Sequence, residues 1–266
     1  MFQNGPLAWS SELHYNFRFD RATRERLASR CPREFDTSMG QKRFPGVRAL
    51  IFDLDGTLID SKLDLALSVN AAVAEMGRPP LPHEQIFGYV GQGAPMLIRQ
   101  ALGGGASEQE CQHALEFFLA YYHAHMLDHT VTYPGVREGL AQLAGLQMAV
   151  LTNKPVRFSR EILAGLGIAG YFRYVYGGNS FDRKKPDPVG VEHLLREFGA
   201  APREAMLVGD SEIDVQTARN AGTWACGVTY GLGSHRLTEY PPDILLDTLT
   251  ELPSCLADHF APGTSA

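Results

Sequence analysis

Short apolar stretches alternate with helix-like stretches along most of this chain, beginning near Val47. The apolar stretches have the length of buried strands, and the segments between them carry apolar residues at helical spacing. We predict six strands, at residues 49–54, 147–152, 174–177, 205–210, 223–228 and 243–246. Helices are predicted between them at residues 136–143, 157–166, 188–198, 213–221 and 248–256. Buried strands that alternate with helices indicate an α/β fold, in which helices cover both faces of a parallel sheet.

The alternation is interrupted between residues 63 and 131, where the apolar patterns have helical spacing. Helices are predicted there at residues 63–76, 83–89, 94–102 and 107–127. An insertion of this length with its own apolar faces predicts a small all-helical domain, which leaves the sheet directly after its first strand. We expect four aromatic residues of the last helix to form the core of this domain: Phe117, Phe118, Tyr121 and Tyr122.

These patterns predict the domain organisation. Residues 46–62 and 132–259 form the sheet domain, and residues 63–131 form the helical domain. Residues 1–45 are polar and rich in arginine, with room for one short helix near residues 20–28, and we interpret them as a loosely attached N-terminal extension. Residues 260–266 form a C-terminal tail. Met39 is a candidate translation start, which mass spectrometry of the native protein would test.

Composition and charge exclude several classes of protein. The 266 residues are 44% hydrophobic and 20% charged, as in ordinary globular proteins, and the formal net charge is -6. There is no basic block for nucleic acid, no apolar run near the roughly 18 residues of a membrane span, and no signal-peptide pattern. The four cysteines lack metal-type spacing and are expected to be free thiols. We expect a cytoplasmic protein, monomeric or homodimeric, that binds neither nucleic acid nor membranes.

The first predicted strand ends in two carboxylates, within the run Ile-Phe-Asp-Leu-Asp-Gly-Thr at residues 51–57. Side chains two positions apart on extended backbone point the same way, so Asp53 and Asp55 stand side by side. Because two like charges held together repel, one must be neutralised by a cation or keep its proton. With a bound cation, one carboxylate can act as a nucleophile and the other as a proton donor. The alternative interpretation is a strand that ends in an ordinary turn, where Asp and Gly are common.

Three further polar segments lie at strand ends or in loops beside them. They are Leu-Thr-Asn-Lys at residues 151–154, Lys-Lys-Pro-Asp-Pro at residues 184–188 and Gly-Asp-Ser-Glu-Ile-Asp at residues 209–214. Parallel α/β sheets bind their ligands beyond the carboxyl ends of the strands, so we expect these groups to converge there. Carboxylates from two strand ends make an oxygen-rich site that suits Mg²⁺, and lysine and hydroxyl groups nearby would bind phosphate oxygens.

Taken in this order, the four segments resemble the motifs of the haloacid dehalogenase superfamily, in its phosphatase branch. The resemblance covers about residues 47–256 and implies a Rossmann-like sheet with an inserted helical cap domain. It also implies a Mg²⁺-dependent phosphomonoester hydrolase in which Asp53 attacks phosphorus and forms an aspartyl-phosphate. Asp55 would protonate the leaving alkoxide and then activate water. Lys185, rather than Lys184, would neutralise charge on the phosphoryl group and on Asp53.

The resemblance implies roles for the remaining site residues as well. Thr152 and the Asn153 backbone would hold the phosphoryl oxygens. Asp214 would orient a water molecule or Lys185. Mg²⁺ would be bound by three oxygen donors: the Asp53 carboxylate, the Asp55 backbone carbonyl and the Asp210 carboxylate.

The helical insertion contains a glycine loop, Tyr-Val-Gly-Gln-Gly-Ala-Pro at residues 89–95. Gly91 and Gly93 would let the backbone approach a ligand, and the helix after them offers unpaired N–H groups to an anion. With Gln92 between them, they are candidates for substrate specificity. Arg99, on that helix, is a further candidate for substrate contact. This loop, together with Leu-Ile-Asp-Ser at residues 58–61, is similar to the phosphoglycolate phosphatase family, which implies 2-phosphoglycolate as the substrate.

Other functions stay open at this point. The same chemistry would serve a sugar phosphate, an amino-sugar acid phosphate or pyrophosphate, and a phosphomutase also uses an aspartyl-phosphate. A non-catalytic binding protein on a phosphatase scaffold is a remote alternative, because the four central residues are all present: Asp53, Asp55, Lys185 and Asp210.

Overall fold

The computed structural model describes residues 44–256. Most of the predicted N-terminal extension lies outside the described residues, including its short helix, Cys31 and the candidate start at Met39, and so does the C-terminal tail. Within the described range, no helix has the length and apolar composition that a membrane crossing requires. The three cysteines in this range are buried free thiols: Cys111, Cys226 and Cys255.

The described chain contains eight strands: β1 (Ala49–Phe52), β2 (Ile59–Asp60), β3 (Val131–Thr132), β4 (Gln147–Leu151), β5 (Tyr174–Tyr176), β6 (Ala205–Gly209), β7 (Trp224–Val228) and β8 (Ile244–Leu246). Six of them form one parallel sheet in the order β5-β4-β1-β6-β7-β8. The six predicted strands are therefore confirmed, each one or two residues shorter than predicted. At the carboxyl ends of β1, β4 and β6, the strands stop at Phe52, Leu151 and Gly209, directly before Asp53, Thr152 and Asp210.

Nine α-helices lie in the same range: α1 (Lys62–Glu75), α2 (His83–Phe87), α3 (Ala94–Leu102), α4 (Glu108–His125), α5 (Val136–Gln142), α6 (Val156–Gly165), α7 (Val189–Phe198), α8 (Glu212–Ala221) and α9 (Leu252–Cys255). The helix predicted at residues 248–256 is divided into a 3₁₀ turn, Leu249–Glu251, and α9. Pro253 stands in the first turn of α9, where its missing N–H costs no helical hydrogen bond.

The order in which strands are added to the sheet reverses beside β1. From β1 the chain moves outward through β4 to β5, and it then returns to the other side of β1 as β6. Phe52, the last residue of β1, pairs with Val150 on one side and Val208 on the other. The carboxyl ends of β4, β1 and β6 therefore meet at a topological switch point, where α/β sheets bind their ligands.

Strand β1 is fully buried, and its side chains pack alternately into cores on the two faces of the sheet. Leu50 and Phe52 belong to the larger core, and Ala49 and Ile51 belong to the smaller one. This burial on both faces explains the continuous apolar run in the sequence, because each alternate residue meets a helix-covered layer. Asp53 follows directly, so the backbone that carries it is held by the most buried strand of the sheet.

Helices α1 to α4 form the helical insertion, in which α1 and α3 both pack against α4. The insertion begins and ends at a two-stranded antiparallel sheet in which Ile59 pairs with Thr132 and Asp60 with Val131. The sequence did not predict this pair, because strands of two residues are too short to show alternation. Phe118 and Tyr122 on α4 are buried and stacked, with ring centroids 5.6 Å apart.

Candidate active site

Asp53 is fixed by the strand that precedes it and by a tight loop that follows. Its backbone N–H donates to the carbonyl of Val208 at 2.9 Å, which extends the β1–β6 pairing by one residue. Gly56, with φ of +86°, turns the chain, and a Cβ there would lie 2.3 Å from Asp210 Oδ2. A glycine is therefore needed at this turn for both reasons, since any side chain would displace the carboxylate that ends β6.

Lys185 is buried between two carboxylates. Its ammonium lies 2.9 Å from Asp53 Oδ1 and donates a hydrogen bond to Asp214 Oδ1 at 2.6 Å. Burial lowers the pKa of Lys185, but the attraction of Asp214 and Asp53 outweighs this effect, so the pKa lies above its ordinary value. The structure thus brings Lys185 to Asp53 as a fixed positive charge, whereas Lys184 donates to the carbonyl of Gln92.

Three carboxylates converge at the ends of β1 and β6. Ligand oxygens of Asp53, Asp210 and Asp214 all lie within 4.8 Å of one another, and all three side chains are buried. The pKa of Asp53 is raised to about 6. Burial is the main cause, Asp214 adds to it, and Lys185 acts against it. Burial, Asp214 and Asp53 together raise the pKa of Asp210 well above its usual range. One lysine does not balance three carboxylates, so this cluster favours a further cation.

The donors of the cluster fit a hard divalent cation. They are carboxylate oxygens, the ligands that Mg²⁺ prefers in proteins. Asp214 is committed elsewhere, because its Oδ2 accepts hydrogen bonds from the backbone and hydroxyl of Ser211 at the start of α8. Asp53 Oδ1, in contrast, has the Lys185 ammonium 2.9 Å away but no hydrogen bond of good geometry from any described residue. With the Asp210 carboxylate beside it, Asp53 is therefore well suited to a metal ion.

Asp55 stands at the same strand end but is bound to a different lysine. Lys154 Nζ donates to both of its carboxylate oxygens, at 2.9 and 3.0 Å, and the Ser61 hydroxyl donates to Asp55 Oδ1. The side chains of Lys154 and Asp55 are only 5% and 13% exposed. The two neighbouring carboxylates, Asp53 and Asp55, are thus each paired with their own buried ammonium.

The loop after β4 joins the site to the helical insertion. Thr152 is buried, and its hydroxyl accepts a hydrogen bond from the backbone N–H of Lys154. The Asn153 amide donates to the carbonyls of Gly91 and Lys185, at 2.9 and 3.1 Å. The predicted glycine loop is therefore held against the sheet domain, directly over the carboxyl end of β4.

A cavity of about 50 Å³ lies between the insertion and the sheet domain, lined by Asp53, Asp55 and Thr152 from one side and by the glycine loop and α4 from the other. Because a single water needs about 10–15 Å³ on this measure, the space suits a small ligand. Two carboxylates, a lysine and a hydroxyl line it, and Lys185 lies beside Asp53.

Comparison with known proteins agrees with this arrangement. The model of the family described as "Haloacid dehalogenase-like hydrolase" matches residues 50–228. The chain belongs to this family. In this haloacid dehalogenase-like hydrolase, the carboxylates that follow β1 and β6 lie at the edge of the sheet where the cavity opens.

Curated relatives within the family are phosphatases. The chain is similar to the phosphoglycolate phosphatase of Pseudomonas putida KT2440, with 41% identity over 81% of this chain and 83% of the relative. The phosphoglycolate phosphatase of Pseudomonas fluorescens Pf0-1 has the same identity and coverage. The solved structure of a predicted phosphoglycolate phosphatase from Haemophilus somnus 129pt has a TM-score of 0.75 at 32% identity, covering 79% of this chain and 97% of that one. The chain is therefore a phosphatase of this hydrolase family.

Not every residue proposed from the sequence reaches the cavity. Among the described residues, Gly91 and Gly93 line it, whereas Gln92 and Arg99 do not. Arg99 is half-exposed and pairs with Glu108 at 2.6 Å, on the outer side of α3. Arg99 therefore lies outside the cavity in this structure, and its contact with substrate stays a prediction.

Two polar residues that sequence reasoning did not assign to the site also line the cavity: Lys154 and Tyr122. Lys154 belongs to the polar segment at residues 151–154. Its partner Asp55 is 99 positions away, so spacing along the chain does not indicate the contact. Tyr122 was expected to be core. It is indeed buried, and it also faces the cavity. Helical periodicity cannot distinguish a core position from a cavity wall, because both environments are apolar.

Proposed function

We propose that this phosphatase is a Mg²⁺-dependent phosphomonoester hydrolase that acts through an aspartyl-phosphate on Asp53, with 2-phosphoglycolate as its substrate. The observation that carries the proposal is the ion pair of 2.9 Å between Asp53 Oδ1 and Lys185 Nζ inside the buried carboxylate cluster. A nucleophile and a fixed cation at one strand end are what phosphoryl transfer requires, because the reaction depends on positioning and on charge stabilisation.

In the first half-reaction, an Asp53 oxygen attacks phosphorus and the bond from phosphorus to the ester oxygen breaks. Lys185 stabilises the charge on the phosphoryl oxygens, and the Thr152 hydroxyl and the Asn153 backbone bind those oxygens. Asp55 donates a proton to the departing alkoxide, which lets a poor leaving group depart near neutral pH. Both carboxylates line the cavity that would hold the ester.

In the second half-reaction, Asp55 takes a proton from a water molecule, whose oxygen attacks phosphorus and breaks the bond to Asp53. Inorganic phosphate leaves and the free carboxylate is restored. Asp214 serves as a positioning residue throughout, because its carboxylate fixes the Lys185 ammonium and is itself fixed by Ser211.

Three oxygen donors would hold the metal: the Asp53 carboxylate, the Asp55 backbone carbonyl and the Asp210 carboxylate. When bound, Mg²⁺ supplies positive charge against the phosphoryl dianion and the attacking carboxylate. The Asp210 side chain is already oriented, because Thr57 and the backbone N–H of Gly233 donate to its two oxygens, at 3.2 and 2.8 Å.

The helical insertion, residues 63–131, is proposed to act as a cap domain that closes over the site and excludes water. The hydrogen bond from Asn153 to Gly91 and the small cavity support a closed arrangement around a small substrate. The likeness to phosphoglycolate phosphatases at about 40% identity supports 2-phosphoglycolate in particular.

The test uses the full chain with 2-phosphoglycolate, glucose 6-phosphate, pyrophosphate and p-nitrophenyl phosphate, with and without Mg²⁺, and measures released phosphate. Asp53→Asn should reduce kcat by about a thousand-fold or more, the scale expected when a nucleophile is removed. The matched control is Asp128→Asn, which changes an exposed carboxylate that pairs with His125 and should leave kcat unchanged. Undiminished hydrolysis in Asp53→Asn, or a preference for glucose 6-phosphate, would contradict the proposal.

A further inference from the structure

The ammonium of Lys154 projects into the cavity and has no task in the two half-reactions described above. It contacts both oxygens of Asp55 and lies 4.6 Å from the centroid of the Tyr122 ring. Burial lowers the pKa of Lys154, but Asp55 and Tyr122 raise it above its ordinary value, so the side chain stays charged. A charged ammonium buried at a substrate cavity is costly unless it has a function or complete pairing.

Tyr122 provides a second polar group at this wall. The side chain is 1% exposed, and its hydroxyl lies beside the Lys154 ammonium without a hydrogen bond of good geometry within residues 44–256. Burial raises the pKa of Tyr122 to about 12, although Lys154 lowers it, so the hydroxyl keeps its proton and remains a donor. A buried donor left unsatisfied next to a cation indicates a site that an anionic group would complete.

The rest of this wall is apolar. It consists of aliphatic and aromatic side chains from the insertion and from α6: Leu65, Val90, Leu97, Phe118, Leu119 and Phe158. Among the described residues that line the cavity, Lys154 is the only cation. A carboxylate that entered here would lose its water, and Lys154 and Tyr122 are the groups able to compensate for that loss.

We propose that Lys154 and Tyr122 bind the carboxylate of the substrate and thereby determine the specificity of this phosphatase for small phosphorylated acids. The proposal rests on the function proposed above and assigns its substrate selectivity to two residues. It replaces Arg99, which lies outside the cavity and pairs with Glu108.

The geometry also relates this anion site to catalysis. A lysine ammonium has three N–H donors, and Lys154 uses two of them on Asp55, so one remains for a ligand. In 2-phosphoglycolate a single methylene separates the carboxylate carbon from the ester oxygen. An ammonium that contacts both the carboxylate and Asp55 therefore holds the ester oxygen close to its proton donor. A longer acid would place that oxygen farther from Asp55.

The test compares 2-phosphoglycolate with ethyl phosphate, which has the same length but a methyl group in place of the carboxylate. p-Nitrophenyl phosphate serves as a third substrate, because its leaving group needs no proton. The variants are Lys154→Met, which keeps the length of the side chain without its charge, and Tyr122→Phe. Arg99→Met is the matched control, since it removes a cation from a helix that borders the cavity. All assays use the full chain with saturating Mg²⁺, and thermal melts check folding.

Lys154→Met should raise KM for 2-phosphoglycolate by about 10- to 100-fold, the scale of a hydrogen bond to a charged group, with a smaller effect on kcat. Tyr122→Phe should raise this KM by about 3- to 10-fold without lowering the melting temperature, because the lost hydroxyl has no hydrogen bond of good geometry in the free protein. For ethyl phosphate and p-nitrophenyl phosphate, kcat/KM should change by less than about threefold in Tyr122→Phe. Lys154→Met also removes the ion pair of Asp55, so its deciding result is a loss of kcat/KM about 10-fold larger on 2-phosphoglycolate than on these two substrates. Arg99→Met should keep the wild-type preference.

Several results would overturn the inference. A preference for 2-phosphoglycolate over ethyl phosphate that survives in Lys154→Met and Tyr122→Phe would exclude these residues as the anion site, while leaving the proposed function intact. An equal loss on all three substrates would indicate a general role in folding or in phosphoryl transfer. If Lys154→Met fails to fold, Tyr122→Phe decides alone. A wild-type protein without any preference for the acid would reject both the substrate and this inference.

Discussion

Replacing Asp64 by alanine is expected to loosen the joint between the helical insertion and the sheet domain. Asp64 lies in the first turn of α1 and is 1% exposed. Its carboxylate accepts hydrogen bonds from the segment by which the chain returns to the sheet: from the backbone N–H and ring of His129, and from the backbone N–H and hydroxyl of Thr130. The Asp64 side chain thus connects the segment that enters the helical insertion with the segment that leaves it.

The magnitude follows from the donors that would be left. Thr130 is buried, with its N–H 2.8 Å and its hydroxyl 2.7 Å from Asp64 Oδ2. A buried donor that loses its partner costs about 1–3 kcal/mol, whereas the exposed His129 ring can turn to water. Since the Thr130 hydroxyl can partly reorient, we expect the free energy of unfolding to fall by about 3 kcal/mol.

Urea unfolding at pH 7, followed by circular dichroism, measures this change. The control is Asp128→Ala, close to the return strand β3 in the sequence. Its exposed carboxylate, which pairs with His125, should contribute less than about 0.5 kcal/mol. Hydrogen exchange of peptides that cover residues 126–134 should accelerate in Asp64→Ala. KM for 2-phosphoglycolate should rise in the same variant, because the insertion that completes the cavity is held less firmly.

Equal unfolding free energies for Asp64→Ala and Asp128→Ala would refute the reasoning, because they would mean that the buried donors find other partners. A stability loss without faster exchange at residues 126–134 would place the damage elsewhere. Either result would remove the joint as an explanation for how the insertion is positioned over the site.

Three further predictions concern the carboxylate cluster. Mg²⁺ at about 100 times its Kd should stabilise the protein by about 2.7 kcal/mol in thermal melts, and Asp210→Asn should abolish this shift; a retained shift would locate the metal elsewhere. Because burial raises the pKa of Asp53 to about 6, against the effect of Lys185, kcat/KM at limiting Mg²⁺ should fall as the pH drops below about 6. A cation favours the ionised carboxylate, so saturating Mg²⁺ should move this fall to lower pH, and movement to higher pH would contradict the assignment. Gly231→Ala should reduce kcat strongly, since its Cβ would lie 2.1 Å from Asp210 Cβ, whereas Gly104→Ala, with nothing in the described structure within 4 Å, should behave as wild type in the same assay.

Much of the fold and of the catalytic edge could be predicted from the sequence because both follow from local patterns. A continuous apolar run of strand length predicts a strand buried on both faces, and β1 is such a strand. Polar residues that end such runs must come together when the strands are parallel, which is how Asp53 and Asp210 meet. The two-residue strands β2 and β3 and the divided C-terminal helix were missed, because segments that short carry no periodicity.

The sequence by itself determined which chemical groups stand at the strand ends, since the hydrophobic period fixes where each buried strand stops. Only the tertiary structure decided which groups are partners. Lys154 pairs with Asp55 because β1 and β4 are neighbours in the sheet, and Arg99 turns toward Glu108 because α3 packs against α4. Tyr122 faces the cavity because the insertion packs over the sheet. Packing of side chains in three dimensions, rather than spacing along the backbone, sets these contacts.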